Sequence, residues 1–183
     1  FFTTSGSLMP IYANTTNGVV QSTLTSSITA SDNIIVTVAY KNNTNINGTT
    51  TLKFIPGPFA RLEVKASPSE LPADGVSKAT IIAQMQDQYG NNIASAGNNI
   101  TLTTTAGSFA NGLTTITALT NVNGQAVVEL TAPLATYGTT TITASKGAIS
   151  GSTQISLVSP AFDNKIKLKS GWNLISVPKI LQN

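Results

Sequence analysis

The sequence predicts an all-β protein made of tandem immunoglobulin-like β-sandwiches, one complete and one or two partial. Short runs of alternating apolar and polar residues recur along its 183 residues, and Gly, Asn, Asp or Pro bounds each run, as in strands joined by tight turns. The chain is 40% hydrophobic but only 9% charged. Thr, Ser and Asn supply its polarity, which favours uncharged strand faces.

Several segments of the chain recur at a spacing of about 100 residues, the size of one immunoglobulin-like domain. FFTTSGSL at the start of the chain parallels LTTTAGSF, which begins at Leu102. NGVVQSTLT from Asn17 parallels NGQAVVELT from Asn123. On this register we expect three parts: residues 1–57, the C-terminal half of one repeat; residues 59–159, a complete repeat; and residues 162–183, the start of a further β module.

The first part contains four predicted strands but no opening pair. Half a sandwich exposes the apolar faces of its strands, so this part is not expected to persist alone. Its first residues are typical of the middle of a strand, and we expect the chain to be an excised piece of a longer protein. The predicted strands are Phe1–Ser5, Val19–Thr25, Ile34–Tyr40 and Thr50–Ile55.

The complete repeat opens with the stretch from Ala60 to Ile93. Apolar residues alternate with charged ones in its first strand, and the motifs PADG and DQYGN are predicted as turns. Gly75 and Gly90 lie where these turns need a positive φ. The predicted strands are Ala60–Ala66, Ser77–Gln86, Asn99–Thr105, Gly112–Thr120, Gln125–Thr131, Gly138–Ser145 and Gly151–Val158. The predicted core is Leu62, Val64, Ile81, Ala83, Leu102, Ile116, Val128, Leu130, Ile142, Ile155 and Leu157.

The order of these motifs resembles the bacterial Ig-like repeat of invasin and intimin. The motifs that carry the resemblance are ADG, DQYGN, ITLTTTAGSF, NGQAVVELT and GTTTITAS. It covers residues 59–159 fully and residues 1–57 in part. The resemblance implies tandem sandwiches in long extracellular stalks, in which most repeats act as spacers and a terminal module binds.

The last residues differ from the rest of the chain. GWNLISVP resembles the opening of a module common in archaeal and some bacterial surface proteins. Its Trp172 is interpreted as a packing anchor, with a carbohydrate-stacking platform as the alternative. Lysines alternate with Ile166 and Leu168, and this pattern is typical of an edge strand whose lysines lie on the solvent-exposed face. A nucleic-acid site is the less favoured interpretation, and we expect no nucleic-acid partner.

The residues that carry most enzyme chemistry are missing or scattered. The chain has no Cys and no His, which excludes disulfides, thiolate metal sites and His-assisted nucleophiles. Its seven carboxylates fall on predicted wet faces or turns, and no pairing follows from their spacing. We expect neither an enzyme nor a cofactor. The weak calcium candidates are Asp74, Asp87 and Asn91, which serve equally as turn-forming residues.

Four Asn-x-Ser/Thr triplets are candidates for glycosylation in a secreted setting. They begin at Asn14, Asn42, Asn47 and Asn99, the first three in predicted loops. No apolar run reaches the ~20 residues that span a bilayer, so no membrane span is expected in this chain.

These observations favour an extracellular or cell-surface protein whose function is mechanical: a stalk, surface-layer or filament module whose partners are neighbouring Ig-like domains or copies of itself. The alternative is an adhesin module that binds a host protein or glycan through exposed aromatics. The candidates are Trp172, Phe59 and Tyr89, with Phe109 and Tyr137. A further hypothesis is a fibre in which the tail of one molecule adds a strand to the head of the next.

Overall fold

A computed structural model describes residues 1–160, and these residues form β-strands and no helix. No helix in this range is therefore long and apolar enough to cross a membrane. The all-β prediction is confirmed. Five strands precede residue 57: β1 Phe2–Thr3, β2 Ser7–Met9, β3 Thr23–Thr25, β4 Ser31–Tyr40 and β5 Asn43–Phe54. Nine follow: β6 Arg61–Ser67, β7 Glu70–Pro72, β8 Lys78–Gln86, β9 Asn99–Thr104, β10 Ser108–Phe109, β11 Thr115–Leu119, β12 Gln125–Thr131, β13 Gly138–Lys146 and β14 Ile149–Val158.

Residues 60–159 form a two-layer sandwich, here named the C-terminal sandwich. One sheet has the strand order β10-β12-β8-β6 and the other the order β11-β9-β13-β14-β7. All pairings are antiparallel except that of β7 with β14. Alternate side chains of each strand point between the layers, as the period-2 pattern requires.

One hydrophobic cluster fills the space between the two sheets. Ile81, Leu102 and Leu130 are fully buried, together with residues that the alternation did not single out, such as Ile100 and Phe109. Every predicted core residue is buried except one. Ile116 is only half-buried because β11 is an edge strand, where the opposite sheet covers less of it.

The opening stretch differs from its prediction at the PADG corner. Residues 70–72, expected in the connection between two strands, form β7 and pair with β14 in parallel. The chain therefore changes sheets between β6 and β7. Pro72 is tolerated there because β7 is an edge strand, on which a missing N–H costs no ladder bond. The positive φ predicted for Gly75 and Gly90 is confirmed, at 77° and 86°.

A polar side chain lies inside the apolar core of the sandwich. Thr140 of β13 is fully buried, and its hydroxyl donates to the carbonyl of Ala106 and accepts from the N–H of the same residue, each at 3.0 Å. The Thr104 hydroxyl lies 3.0 Å away. These bonds satisfy the backbone N–H and carbonyl of Ala106 in the loop after β9.

Residues 1–57, here named the N-terminal unit, form a three-stranded sheet of order β1-β4-β5 and a two-stranded sheet β2-β3. The strand predicted at Phe1–Ser5 is present as the shorter β1, and after Gly6 turns the chain with a φ of 78°, β2 follows in another sheet. The strand predicted from Val19 is confined to β3. The last two are longer than predicted, since β4 and β5 form one long hairpin.

The N-terminal unit pairs its strands in the register of the C-terminal sandwich. In β1 and β4, Phe2 faces Thr37; in β9 and β13, Thr103 faces Thr143. In β2 and β3, Leu8 faces Leu24. The corresponding pair in β10 and β12 is Phe109 with Leu130. Both pairings follow the sequence repeats, so β1–β5 correspond to β9, β10, β12, β13 and β14.

The two units differ in how well the inner face of the sheet is covered. In the C-terminal sandwich, Ile142 and Ala144 of β13 are fully buried. The corresponding residues of β4 are Val36, which is half-buried, and Val38, which is 38% exposed. No strand described in the N-terminal unit occupies the positions of β6, β7 and β8.

Candidate functional site

An open apolar groove lies along the uncovered face of the N-terminal unit. Its volume is about 650 Å³. Val38 and Tyr40 of β4 and Ile46 of β5 line its base, and the loop after β2 contributes Ile11 and Tyr12. Tyr12 is 69% exposed and Tyr40 is 56% exposed. This concentration of exposed apolar and aromatic side chains was missed by the sequence analysis, which looked for interaction residues only from Phe59 onwards.

The aromatic residues predicted for ligand binding do not form one surface in the structure. Phe59 is half-buried and packs against the core of the C-terminal sandwich. Phe109 is buried within that core, so it is not one of the exposed aromatic residues that the adhesin alternative requires. Tyr89 and Tyr137 are exposed, at 56% and 57%. Trp172 lies outside the described residues.

Tyr89 and Tyr137 lie at opposite ends of the sandwich. Tyr89 follows the last residue of β8 by three positions. Tyr137 is three residues after Leu134, which forms an isolated β-bridge with Asp74. Asp74 lies shortly before Lys78, the first residue of β8. The nine residues of β8 span about 30 Å at 3.3 Å per residue. One small ligand therefore does not reach both rings.

Asp74 organises the turn that precedes β8. Its carboxylate accepts bonds from the N–H groups of Val76 and Ser77, at 2.9 and 2.8 Å, and from the Ser77 hydroxyl at 2.7 Å. The backbone and hydroxyl bonds from Ser77 and the bond from Val76 lower the pKa of this carboxyl below its usual value. These contacts give Asp74 a role in the turn, as its sequence pattern indicates.

Asp87 is almost completely buried in the turn after β8, and four hydrogen bonds reach its carboxylate. The N–H groups of Tyr89 and Asn91 donate to Oδ1 at 2.9 Å. The Asn91 amide donates to Oδ2 at 2.8 Å, and the N–H of Gly57 donates to the same oxygen at 2.9 Å. Burial raises the pKa of Asp87, but the bonds from Asn91, Gly57 and Tyr89 outweigh it and lower this pKa to about 2.

The part of the chain that the structure describes contains no cluster of acidic side chains that would support the calcium hypothesis. Residues 1–160 contain no group of three or more acidic side chains that could hold a metal ion. The lone pairs of Asp74 and Asp87 face N–H and O–H donors of their own turns. Calcium binding at Asp74, Asp87 or Asn91 stays a prediction.

The four candidate glycosylation sites are all exposed. Asn14 and Asn42 lie outside strands, as predicted. Asn47, predicted in a loop, lies in β5, because the hairpin of β4 and β5 turns as early as residues 41–42. Asn99 is the first residue of β9.

The strand order and the turns of the C-terminal sandwich agree with a family assignment. Residues 60–159 match the family model described as invasin, domain 3, over more than half of the chain. The chain belongs to this family. We therefore call residues 60–159 the invasin-type domain. No curated protein sequence matches the chain.

Solved structures of similar fold include bacterial surface proteins and hydrolases. The D0–D1 domain of intimin is 23% identical, with a TM-score of 0.45, over 86% of this chain and 79% of that one. Invasin, described as a bacterial integrin-binding protein, is 22% identical, with a TM-score of 0.44, over 86% of this chain and 31% of that one. A family 2 glycoside hydrolase from Bacteroides cellulosilyticus is 16% identical, with a TM-score of 0.51.

These structural similarities concern the fold alone. The match to the glycoside hydrolase covers 77% of this chain but only 19% of the hydrolase. This chain also spans 31% of the invasin structure. The activity of the glycoside hydrolase and the integrin binding of invasin are therefore properties of those larger proteins.

Proposed function

We propose that this chain is a non-catalytic structural module, a stalk or spacer, in a large extracellular or cell-surface protein of the adhesin type. The observation that carries the proposal is the invasin-type domain at residues 60–159, joined directly to a second β unit. In the invasin-type domain, Thr, Ser and Asn are the commonest exposed polar residues, and an uncharged polar surface of this kind suits a spacer.

The competing proposal is that the invasin-type domain itself binds a host protein or glycan. The centre of a protein-binding surface is usually rich in aromatic residues that lie close together. In this domain, Phe109 is in the core and Phe59 is half-buried, which leaves Tyr89 and Tyr137 far apart. The distribution of aromatics favours the spacer.

Surface exposure and glycan binding can be tested separately. Mild proteolysis of intact cells that make the protein is expected to release fragments of the invasin-type domain without lysis. A protein cleaved only after lysis would contradict the surface location.

On a glycan array, the purified chain is expected to bind nothing above background. Binding that is lost in Tyr89→Ala, with the unfolding temperature unchanged, would favour the adhesin.

We also propose that residues 1–57 are the C-terminal half of a second repeat of the same type. The matching registers of β1 with β4 and of β2 with β3 support this proposal. So does the groove, because it lies on the face that β6 covers in the invasin-type domain. Residues 162–183, proposed as the start of a further β module with its GWNLISVP motif, lie outside the described residues.

The half-repeat proposal predicts the effect of adding the missing strands. A copy of residues 60–93 fused before Phe1 is expected to cover the groove, because its apolar positions match those that face β13 and β14. Binding of a hydrophobic dye to the chain should then fall to near background, and residues 1–57 should resist proteolysis. A fusion of equal length, with serine at its copies of Leu62 and Val64, is the control. Equal dye binding by both fusions would contradict the proposal.

A further inference from the structure

The two units meet at the turn that contains Asp87 and Asn91. The segment between β5 and β6 reads Ile-Pro-Gly-Pro-Phe-Ala, and its two prolines restrict the φ angles of the connection. Between the prolines, the N–H of Gly57 donates to Asp87 Oδ2 at 2.9 Å. Phe59 is then half-buried against the core of the invasin-type domain. The connection is thus held at successive points as it enters the domain.

A second contact joins the units at a place distant in sequence from the connection. The Asn91 side chain reaches the loop between β3 and β4 in the N-terminal unit. Its Oδ1 accepts from the N–H of Ala30 at 2.9 Å, and its Nδ2 donates to the carbonyl of Ile28 at 2.8 Å. The other Nδ2 proton is donated to Asp87 at 2.8 Å. Every hydrogen-bonding group of this amide is therefore used.

Two separate attachments restrain motions that one attachment permits. Domains joined only by a short linker are expected to move relative to one another. Here the linker and the loop at Ile28 and Ala30 are bound by the same turn, so rotation about the linker breaks the bonds of Asn91. The Asp87 carboxylate holds Asn91 in place, because it accepts hydrogen bonds from both the backbone N–H and the side-chain amide of Asn91.

We propose that the turn from Asp87 to Asn91 is an inter-repeat latch that fixes the N-terminal unit against the invasin-type domain and makes the pair a stiff rod. The partner of this surface is the loop between the third and fourth strands of the preceding repeat. The inference rests on the proposed stalk function, since a spacer transmits force and keeps its reach only when its joints are stiff.

The stiffness of the joint can be measured by spin labelling of the full chain, which contains no Cys to interfere. Labels at Thr51→Cys and Val127→Cys, both exposed, report the distance between the units by double electron–electron resonance. The unaltered joint is expected to give one narrow distance distribution. Asn91→Ala is expected to broaden it about twofold or more, because a single attachment leaves the units free to rotate.

Asn92→Ala is the matched control, because the Asn92 side chain accepts a bond from Gln86 inside the invasin-type domain. It should leave the distribution narrow. A broad distribution with the native Asn91, or an unchanged width in Asn91→Ala, overturns the latch. Neither result bears on the proposed location at the cell surface, which proteolysis of intact cells tests separately.

A second measurement needs no substitution at the turn, in case Asn91→Ala fails to fold. In the unaltered chain, the amide protons of Ala30 and Gly57 are expected to exchange at least about tenfold more slowly than unbonded loop amides. Exchange of both at the rate of free loop amides would show that the latch does not form.

Discussion

Replacement of Gly124 by alanine is expected to destabilise the invasin-type domain by about 3–5 kcal/mol. Gly124 is buried and has a φ of 73°, a conformation that costs a side-chain-bearing residue about 1–2 kcal/mol. A Cβ there would also overlap the carbonyl oxygen of Ile93. That segment cannot retreat freely, because the N–H of Ile93 bonds to the carbonyl of Met85.

Denaturant unfolding of the full chain, followed by circular dichroism, measures this loss. Gly147→Ala is the matched control: its φ is 60°, but a Cβ there meets nothing within 4 Å. The control should lose only the conformational cost, about 1–2 kcal/mol. Equal losses in both variants would show that the close approach of Ile93 contributes nothing.

Truncation of Ile142 to alanine should cost about 3–4 kcal/mol of unfolding free energy. Ile142 is fully buried in β13, which has a neighbouring strand on each side. Both neighbours hold the backbone in place, so the sheet cannot collapse into the space left by the lost atoms, and the cavity cost adds to the transfer cost.

The matched control for Ile142 lies in the same sheet. Leu119 of the edge strand β11 is 63% exposed, and Leu119→Ala should change stability by less than about 1 kcal/mol. Thermal unfolding of the two variants in parallel tests the contrast. A similar loss in both would contradict the assignment of Ile142 to the centre of the core.

Seven of the nine strands of the invasin-type domain could be predicted from the sequence because their signals are local, and β7 and β10 were missed. Alternation over five to nine residues decides which side chains share a face, and glycine marks the turns that need a positive φ. Phe109 and Ile116 show the limit of that reasoning. Whether an alternating residue ends in the core or at a rim depends on which strand the sheet places beside it.

Buried polar residues were beyond the reach of the sequence pattern. Thr140 is the middle one of three consecutive threonines, and its residue type does not mark it as buried. Its burial follows from the loop at Ala106, 34 residues away, whose N–H and carbonyl need a partner. Asp87 is similar, since one of its four donors is Gly57, 30 residues earlier in the chain.

The sequence by itself determined the fold class, the repeat spacing and the stretch Ala60–Ile93 as the opening of a sandwich. Those features depend on residue periods and on turn chemistry within a few positions. The tertiary structure alone decided the sheet change at β7, the groove of the N-terminal unit and the bonds from Asp87 and Asn91 to the preceding unit. These depend on which backbone groups and faces remain unpaired once the sheets form, and no local pattern records that.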